Sequence, residues 1–374
     1  MPHRRSRPLP LALVAVATAL VLGACSDTGE STDGGSPSAT VTPSPTDTSS
    51  PVATVNPRVS GTVADDLEAP WGLAFLPDGT PLVSQRDSGS VVRVADGEVV
   101  PVGTVPGVVA GGEGGLLGIA VAPTFARDRW LYAYLTAQAD NRVVRMKYDN
   151  DRLGAPQVVL SGIEKASIHD GGRIAFGPDG HLYVGTGDAG RTELSQDLSS
   201  KNGKILRVTA DGDPAPGNPF PDSPVYSYGH RNVQGLAWDS KDRLWAAEFG
   251  QNTWDELNLI RKGGNYGWPL VEGGAKDRRF VDPVRQWATE VASPSGITII
   301  DDTVILAGLR GQRLWTMPIT ADGVGPDEAY LVGSQGRLRT VAQAPDGSLW
   351  VVTSNTDGRG DAKRGDDRIL RVLL

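Results

Sequence analysis

The sequence is poor in cysteine and histidine, and no segment has the pattern of an amphipathic helix of three turns. Its one cysteine, Cys25, excludes an internal disulfide bond. Four histidines are present, and the formal net charge is −8 at pH 7. Because nucleic acid phosphates are bound by a basic face, this acidic balance argues against a nucleic acid partner.

The first 25 residues resemble a bacterial lipoprotein signal. Three arginines precede an apolar segment from 9 to 23, which has the length of a signal-peptide core and is short for a membrane span. This segment ends in Leu22-Gly23-Ala24-Cys25, which resembles a lipobox. We expect cleavage before Cys25 and a lipid on its sulfur; the alternative is an uncleaved anchor helix. Either arrangement places the rest of the chain outside the cytoplasm, at the outer face of the cell membrane.

The segment from 26 to about 57 consists almost entirely of Ser, Thr, Gly, Pro, Asp and Ala. Such a composition buries too little apolar surface to offset the entropy of the chain, so we predict a disordered tether. The predicted organisation is therefore a signal peptide at 1–24, a tether at 25–57 and a globular domain at 58–374. Removal of the signal peptide, which contains three arginines and no acidic residue, lowers the net charge by three to −11.

One short phrase recurs through the globular domain: an apolar strand, a Pro-Asp-Gly turn, and a second strand with an aromatic residue near its start. Asp-Gly between apolar segments predicts a hairpin, because glycine accepts the positive φ of a tight turn. The copies recur about every 45–60 residues, which suits one four-stranded antiparallel blade per copy. We predict an all-β fold, a six-bladed β-propeller, from copies of varying fidelity at 72–83, 118–135, 173–184, 235–247, 296–315 and 341–352.

The alternative fold is a β-sandwich with several Asp-Gly hairpins, which does not explain the regular return of one phrase. In a propeller, the loops at one mouth of the central channel carry function. We therefore expect the functional residues at this mouth. The Pro-Asp-Gly turns are expected on outer hairpins, away from it.

A histidine and a carboxylate flank the third copy of the phrase. His169 lies on the loop that leads into this copy, and Asp188 lies on the Gly-rich loop that ends the same hairpin. A single loop histidine is usually a solvated surface residue. A histidine with a carboxylate partner is held in one tautomer and can act as a general base.

Two further patterns point to ligands. Carboxylates, amides and backbone carbonyls at 250–256 and 263–269 offer oxygen atoms to a hard cation such as calcium, although the spacing is not that of an EF-hand. Arginines contributed by several blades suit a polyanionic ligand, whereas each one alone is typical of a surface ion pair. These arginines are Arg231, Arg310, Arg313, Arg337 and Arg339.

In this order, the segments resemble the soluble PQQ-dependent glucose and aldose sugar dehydrogenases. The resemblance covers about 66 to 372 and is carried by GEGGLLGIAVAP, IHDGGRIAFGPDGHLYVGTGD, GHRNVQGLAW, DELNLIRKGGNYGWP and RLRTVAQAPDG. It implies an enzyme that oxidises the C1 hydroxyl of aldose sugars to lactones by hydride transfer to the quinone. The implied cofactors are PQQ and Ca²⁺.

The resemblance also implies roles for single residues. The family's catalytic base falls on His169, and its orienting carboxylate falls on Asp188. The calcium beside PQQ would be held by the carbonyls of Gly250 and Gln251, and a second, structural calcium by Glu256 and the carbonyl of Tyr266. The residues implied to hold PQQ are Arg231, Asn232, Arg310, Arg337 and Arg339.

Three positions depart from the family pattern. Glu113 stands where the glucose enzymes carry an amide near the substrate, which places an extra charge at the mouth. Gln251 replaces a proline, and Arg310 replaces a lysine, keeping the charge but not the shape. Several loops are also short, so we expect a monomer.

Two other functions remain open at this point. A metal-dependent lactonase on the same fold needs carboxylates that converge on one cation, whereas this chain directs arginines to the mouth. A non-catalytic binding propeller at the cell surface has no reason to keep His169, Asp188, Arg231 and Arg339 together. For the dehydrogenase we expect a small sugar substrate, a separate and unidentified electron acceptor, and contact with the membrane through the lipid anchor only.

Overall fold

Residues 55–374 are described by a computed structural model, and they form a ring of six antiparallel sheets. Each sheet is a blade of four strands, and the second blade carries one additional two-residue strand. The predicted six-bladed propeller is confirmed. Within 55–374, no helix has the length and apolarity needed to span a bilayer. Cys25, the signal segment and most of the predicted tether lie outside the described residues.

The strands have the following bounds in chain order. The first thirteen are β1 (Arg58–Ala64), β2 (Pro70–Phe75), β3 (Pro81–Gln85), β4 (Ser90–Ala95), β5 (Glu98–Thr104), β6 (Leu116–Val121), β7 (Trp130–Thr136), β8 (Asn141–Asp149), β9 (Arg152–Leu153), β10 (Gln157–Ile163), β11 (Ile174–Phe176), β12 (Leu182–Gly185) and β13 (Lys204–Val208). The others are β14 (Val225–Tyr228), β15 (Val233–Trp238), β16 (Leu244–Glu248), β17 (Trp254–Leu259), β18 (Arg285–Ala288), β19 (Pro294–Ile300), β20 (Thr303–Gly308), β21 (Arg313–Pro318), β22 (Glu328–Tyr330), β23 (Leu338–Gln343), β24 (Leu349–Thr353) and β25 (Ile369–Leu373). One short helix, α1 (Phe125–Asp128), and one 3₁₀ turn (Thr192–Ser195) complete the described chain.

Strand β1 closes the ring. It pairs antiparallel with β25, so the last blade consists of β23, β24, β25 and β1. The other blades are β2–β5, β6–β10, β11–β14, β15–β18 and β19–β22. Because one blade contains both ends of the domain, opening the ring requires breaking the hydrogen bonds between β1 and β25.

The first strand of each blade lines the centre of the ring. These strands (β2, β6, β11, β15, β19 and β23) contact one another in sequence, and β23 contacts β2. Apolar side chains fill the gaps between blades; for example, Tyr134 of β7 packs with Leu182 and Val184 of β12. A strand that is covered on both faces has a continuous apolar sequence. The repeated phrase therefore begins at the first strand of every blade, which is buried in this way.

The Pro-Asp-Gly turns lie away from the predicted site, but the expectation that they form outer hairpins is wrong. The turns at 77–79, 178–180 and 345–347 each join the first strand of a blade to the second. They are the innermost hairpins, because the apolar strand that precedes each turn is the strand that lines the channel. Gly79 has a φ of +91° and donates its N–H to Leu76 O at 2.8 Å, so this turn requires glycine.

Candidate active site

The predicted site residues lie at one end of the propeller, opposite the Pro-Asp-Gly turns. Most of them occupy loops that enter the first strand of a blade or leave its second strand; Arg339 lies within β23, Glu256 within β17 and Tyr266 in the loop after β17. His169 precedes β11, Asp188 follows β12, Arg231 precedes β15 and Gly250 follows β16. Since the first two strands of a blade are antiparallel, both kinds of loop emerge at the same end of the ring.

His169 and Asp188 form a hydrogen-bonded pair. The distance from His169 Nδ1 to Asp188 Oδ1 is 2.6 Å. Because an ionised carboxylate only accepts hydrogen bonds, Nδ1 carries a proton, and in the neutral ring the lone pair is therefore on Nε2. The His169 side chain is 12% exposed and that of Asp188 is fully buried. The imidazole is therefore oriented from behind and can accept a proton from a ligand hydroxyl.

The carboxylate of Asp188 is bound through both oxygens. Oδ1 also accepts the N–H of Gly190 at 2.7 Å, and Oδ2 accepts the indole N–H of Trp268 at 2.8 Å. Burial raises the pKa of Asp188, but the hydrogen bonds from His169, Gly190 and Trp268 outweigh burial and hold it below its ordinary value. Asp188 thus stays ionised and can stabilise a protonated imidazole.

Glu113 fixes the backbone of His169. The φ of His169 is +57°, a left-handed conformation that is uncommon for a residue with a side chain. Its N–H donates to Glu113 Oε2 at 2.9 Å, and Asn232 Nδ2 donates to the same oxygen at 3.4 Å. The other oxygen, Oε1, accepts from Arg359 at 3.0 Å. The carboxylate predicted on the substrate side therefore also holds the loop of the candidate base.

Arg337 and Arg339 lie in a buried cluster around Asp357. Arg337 donates through Nε and Nη2 to Asp357 Oδ2 at 3.1 and 2.9 Å. Arg339 Nη2 is 3.5 Å from the same oxygen, and its Nη1 donates to Gln234 Oε1 at 2.8 Å. Burial raises the pKa of Asp357, but the two guanidinium groups hold it below its ordinary value. One carboxylate thus orients two cations.

A cavity opens beside this cluster and is richer in cations than in anions. Two carboxylates, Glu113 and Asp357, line it together with Trp71 and four arginines, which are Arg86, Arg337, Arg339 and Arg359. The excess of positive charge, with both carboxylates already engaged by arginines, suits a ligand that carries several negative charges.

Two buried guanidinium nitrogens near the cavity have no hydrogen-bond partner among the described residues. They are Nε of Arg231 and Nε of Arg339. Burial lowers the pKa of Arg231, and it lowers that of Arg339 to about 10. A buried unpaired donor costs about 1–3 kcal/mol, so an anionic ligand that accepts from these groups would be stabilised by them.

The structure brings Arg231 and Asn232 to the His169 loop but leaves Arg310 outside. Arg231 donates to Phe249 O at 3.3 Å and lies 5.4 Å from the centre of the Trp268 ring. Asn232 Oδ1 accepts the N–H of Gly171 at 3.0 Å. Arg310 is exposed and makes no hydrogen bond or ion pair within the described part of the chain, although its neighbour Leu309 lines the cavity.

One carboxylate organises the loop that carries Gly250 and Gln251. Glu272 Oε1 accepts the backbone N–H groups of four successive residues at 2.6–3.2 Å, from Gln251 to Trp254. Burial raises the pKa of Glu272, but these four hydrogen bonds hold it below its ordinary value. The carbonyls of Gly250 and Gln251 accept no hydrogen bond from the described residues. Their oxygens are therefore free to bind a hard cation.

Glu256 is buried directly opposite Glu248 in the register of β16 and β17. Burial, and then the charge of Glu248, raise the pKa of Glu256 to about 8. Glu248 also bonds His230 Nδ1 at 2.7 Å, and the His230 ring stacks on Tyr266 with 4.6 Å between the ring centres. These two buried carboxylates repel each other, and a cation bound by their oxygens would offset this repulsion. Within 55–374, no group of three or more His, Cys, Asp or Glu could hold a metal, so a cation here also needs backbone oxygens.

Several contacts of this site carried no signal in the sequence, even where one of the residues, such as Glu113, had been singled out. Trp268 lies 80 residues from its partner Asp188, and Glu113 lies 246 residues from Arg359. Asp357 and Glu272 stand in loops with no recognisable ligand spacing. Only the pairing of blades across the ring brings these residues together.

The protein is therefore a six-bladed propeller with an enzyme site at one end of its central channel. This site contains an oriented base and an arginine-lined cavity. A sequence profile of the Glucose / Sorbosone dehydrogenase family matches residues 67–371. The chain belongs to this family, and the resemblance identified in the sequence is confirmed.

Relatives and solved structures extend this likeness. The chain is 30% identical over 332 residues to the aldose sugar dehydrogenase YliI of Escherichia coli, covering 79% of this chain and 89% of the relative. It is 34% identical over 256 residues to quinoprotein glucose dehydrogenase B of Acinetobacter calcoaceticus, covering 58% and 54%. The PQQ-bound structure of the aldose sugar dehydrogenase from Streptomyces coelicolor is 58% identical, with a TM-score of 0.85 and coverage of 86% and 99%.

Proposed function

We propose that this protein is a PQQ- and calcium-dependent dehydrogenase that oxidises the C1 hydroxyl of aldose sugars to lactones by hydride transfer to the quinone. The observation that carries the proposal is the His169–Asp188 pair, at 2.6 Å, beside a cavity lined by four arginines. The family and the PQQ-bound relative at 58% identity support the same activity.

The residues present fit PQQ, which carries three carboxylates. Arg231 and Arg339 each offer a buried guanidinium nitrogen without a partner in the described chain, and Arg337 adds a third charge. Asn232 lies beside them, on the same loop as Arg231. Arg310 is exposed, so we assign it a contact at the rim rather than within the cavity. When bound, PQQ supplies the hydride acceptor, and calcium polarises its quinone oxygens.

His169 acts as the general base in this proposal. Its Nε2 accepts the proton of the C1 hydroxyl as the C1–H bond breaks and a carbonyl forms at C1. Asp188 stabilises the imidazolium that results, because it is ionised and lies 2.6 Å from Nδ1. Glu113 keeps the ring in place through the N–H of His169.

We assign the catalytic calcium to the free carbonyls of Gly250 and Gln251, on the loop held by Glu272. A second calcium would be held by Glu256 and the carbonyl of Tyr266, where it would offset the repulsion between Glu256 and Glu248. The support for both sites is the chemistry of the donor atoms: free carbonyl oxygens at the first and paired buried carboxylates at the second.

The location of the protein also belongs to the proposal. We infer a monomer that is exported and held at the outer face of the cell membrane by a lipid on Cys25. The lipobox-like Leu22-Gly23-Ala24-Cys25 sequence supports the export and the lipid anchor, and the short loops support the monomer. The electron acceptor would then be reached from outside the cytoplasm, with a small sugar as the reductant. No observation on the described residues favours the lactonase or the binding propeller.

The test is reconstitution of the purified protein. PQQ and calcium are added, the absorbance spectrum is recorded, and aldoses are then added without an electron acceptor. The proposal expects PQQ to bind in stoichiometric amount and its spectrum to change to that of the reduced cofactor. Binding without reduction by any aldose would favour a binding propeller instead.

A further inference from the structure

An ion pair crosses the entrance of the cavity. Glu113 lies on the loop between the first two blades, Arg359 lies on the loop between β24 and β25, and Oε1 and Nη1 are 3.0 Å apart. Both residues line the cavity. The Glu113 side chain is 15% exposed and that of Arg359 is 53% exposed, so the carboxylate lies on the inner side of the pair and the guanidinium reaches toward solvent.

These two charges form a direct ion pair, and Glu113 also stabilises the charged forms of Arg231 and Arg339 at longer range. The remaining donors to Glu113 are neutral: the N–H of His169 and the amide of Asn232. The other arginines that line the cavity have different counterions, since Arg337 and Arg339 share Asp357 and Arg86 bonds to Asp87. Removal of one member of the pair therefore changes the net charge near the candidate base by one unit.

We propose that Glu113 and Arg359 determine substrate specificity as a pair: because the pair itself has no net charge, it selects uncharged sugars over amino sugars and uronic acids. The inference rests on the proposed function. A sugar with its C1 hydroxyl at His169 Nε2 lies close to Glu113, because Glu113 bonds the backbone of the same histidine. An uncompensated charge at that place attracts a sugar of opposite charge and repels one of like charge.

The test uses three sugars of similar size and different charge: D-glucose, protonated D-glucosamine and D-glucuronate. The value of kcat/KM is measured for each in the parent protein, Glu113→Gln, Arg359→Gln and the double variant. The readout is the ratio of each charged sugar to glucose within one variant, because a general loss of rate from a disturbed His169 loop cancels in this ratio.

The two single variants should change the ratios in opposite directions. Arg359→Gln should raise the glucosamine-to-glucose ratio about five- to tenfold and lower the glucuronate ratio, as expected for one partly screened charge within several ångströms. Glu113→Gln should do the reverse. In the double variant neither residue of the pair is charged, so its ratios should return to within about twofold of those of the parent. Such a return would show that the two residues are directly coupled.

Two controls separate charge from structure. Arg371→Gln removes an arginine from an exposed ion pair with Asp346, at the opposite end of the ring, and should leave the ratios unchanged. Raising the ionic strength to about 0.5 M should shrink the shifts in the single variants, because salt screens exposed charges.

The outcomes distinguish this inference from the function on which it rests. If the parent oxidises glucose and both single variants shift the ratios in the same direction, or by less than about twofold, the pair does not set specificity and the proposed function stands. If the loaded parent oxidises none of the three sugars, the proposed function is wrong and the inference is wrong with it.

Discussion

The indole N–H of Trp268 bonds Asp188 Oδ2 at 2.8 Å, while His169 bonds the other oxygen at 2.6 Å. The orientation of the candidate base thus depends on a residue from the next blade, 80 positions along the chain from Asp188. Trp268 also lies under the guanidinium of Arg231, at 5.4 Å, so one side chain contacts both the proton-accepting pair and the cation cluster.

Loss of the charge on Asp188 should slow turnover more than loss of the Trp268 hydrogen bond. We expect Asp188→Asn to lower kcat about 10- to 100-fold, because an amide does not stabilise the imidazolium. Trp268→Phe keeps a ring under Arg231 and removes one donor to Asp188, so we expect a decrease of about three- to tenfold. The measurements are kcat and the dissociation constant of PQQ. Weaker PQQ binding with unchanged kcat in Trp268→Phe would contradict a role for Trp268 in orienting the base.

Buried and exposed arginines should contribute differently to cofactor affinity. Arg339 is 6% exposed and has an unpaired Nε in the described chain, whereas Arg310 is exposed and unpaired there. We expect Arg339→Ala to weaken PQQ binding about 100-fold or more, and Arg310→Ala by less than about tenfold, since exposed charges are screened. Isothermal titration with PQQ in the presence of calcium gives both values. Equal losses in the two variants would show that Arg310 reaches the cofactor as closely as Arg339.

The buried carboxylate Glu256 predicts a stability that depends on pH and calcium. Its pKa is raised to about 8, so without calcium the folded protein binds a proton that the unfolded chain releases near its ordinary value of 4.5. The calcium-free protein should therefore lose stability as the pH rises from about 4.5 to about 8. Calcium requires the ionised carboxylate, so its affinity should increase over the same range.

Thermal unfolding tests this prediction at pH 5.5 and 8.5, with excess chelator and with calcium. We expect the stabilisation by calcium to be larger at pH 8.5. Glu256→Gln is the control, and it should remove most of the difference between the two pH values. A calcium response that is independent of pH and unchanged in Glu256→Gln would place the structural cation elsewhere.

The propeller was predictable from the sequence because its blades repeat. The first strand of each blade is buried between neighbours, so the apolar phrase recurs at each of them, and Asp-Gly turns mark where it ends. What the phrase does not encode is its position within the blade: the turns at 77–79 and 178–180 join inner strands, not outer ones. An Asp-Gly turn also joins the outer strands β4 and β5, at Asp96-Gly97, so this turn alone does not locate a hairpin within a blade.

The site was predictable where its residues are local in sequence and not where they meet across the ring. His169 and Asp188 flank a single hairpin, and their pairing follows from that hairpin. Glu113 reaches His169 from another blade, and Arg359 reaches Glu113 from across the closure of the ring. Such contacts depend on the angle between blades, which no short motif records.

The most direct test of the central claim, that His169 is the base of a PQQ-dependent sugar oxidation, is the reduction of bound PQQ by an aldose in a single turnover of His169→Gln. The arginine cavity does not include His169, so this variant should bind PQQ with nearly the affinity of the parent. Its rate of PQQ reduction should fall by about 10²–10⁴, the usual contribution of a general base. Reduction at close to the parent rate, with PQQ fully bound, would contradict the account.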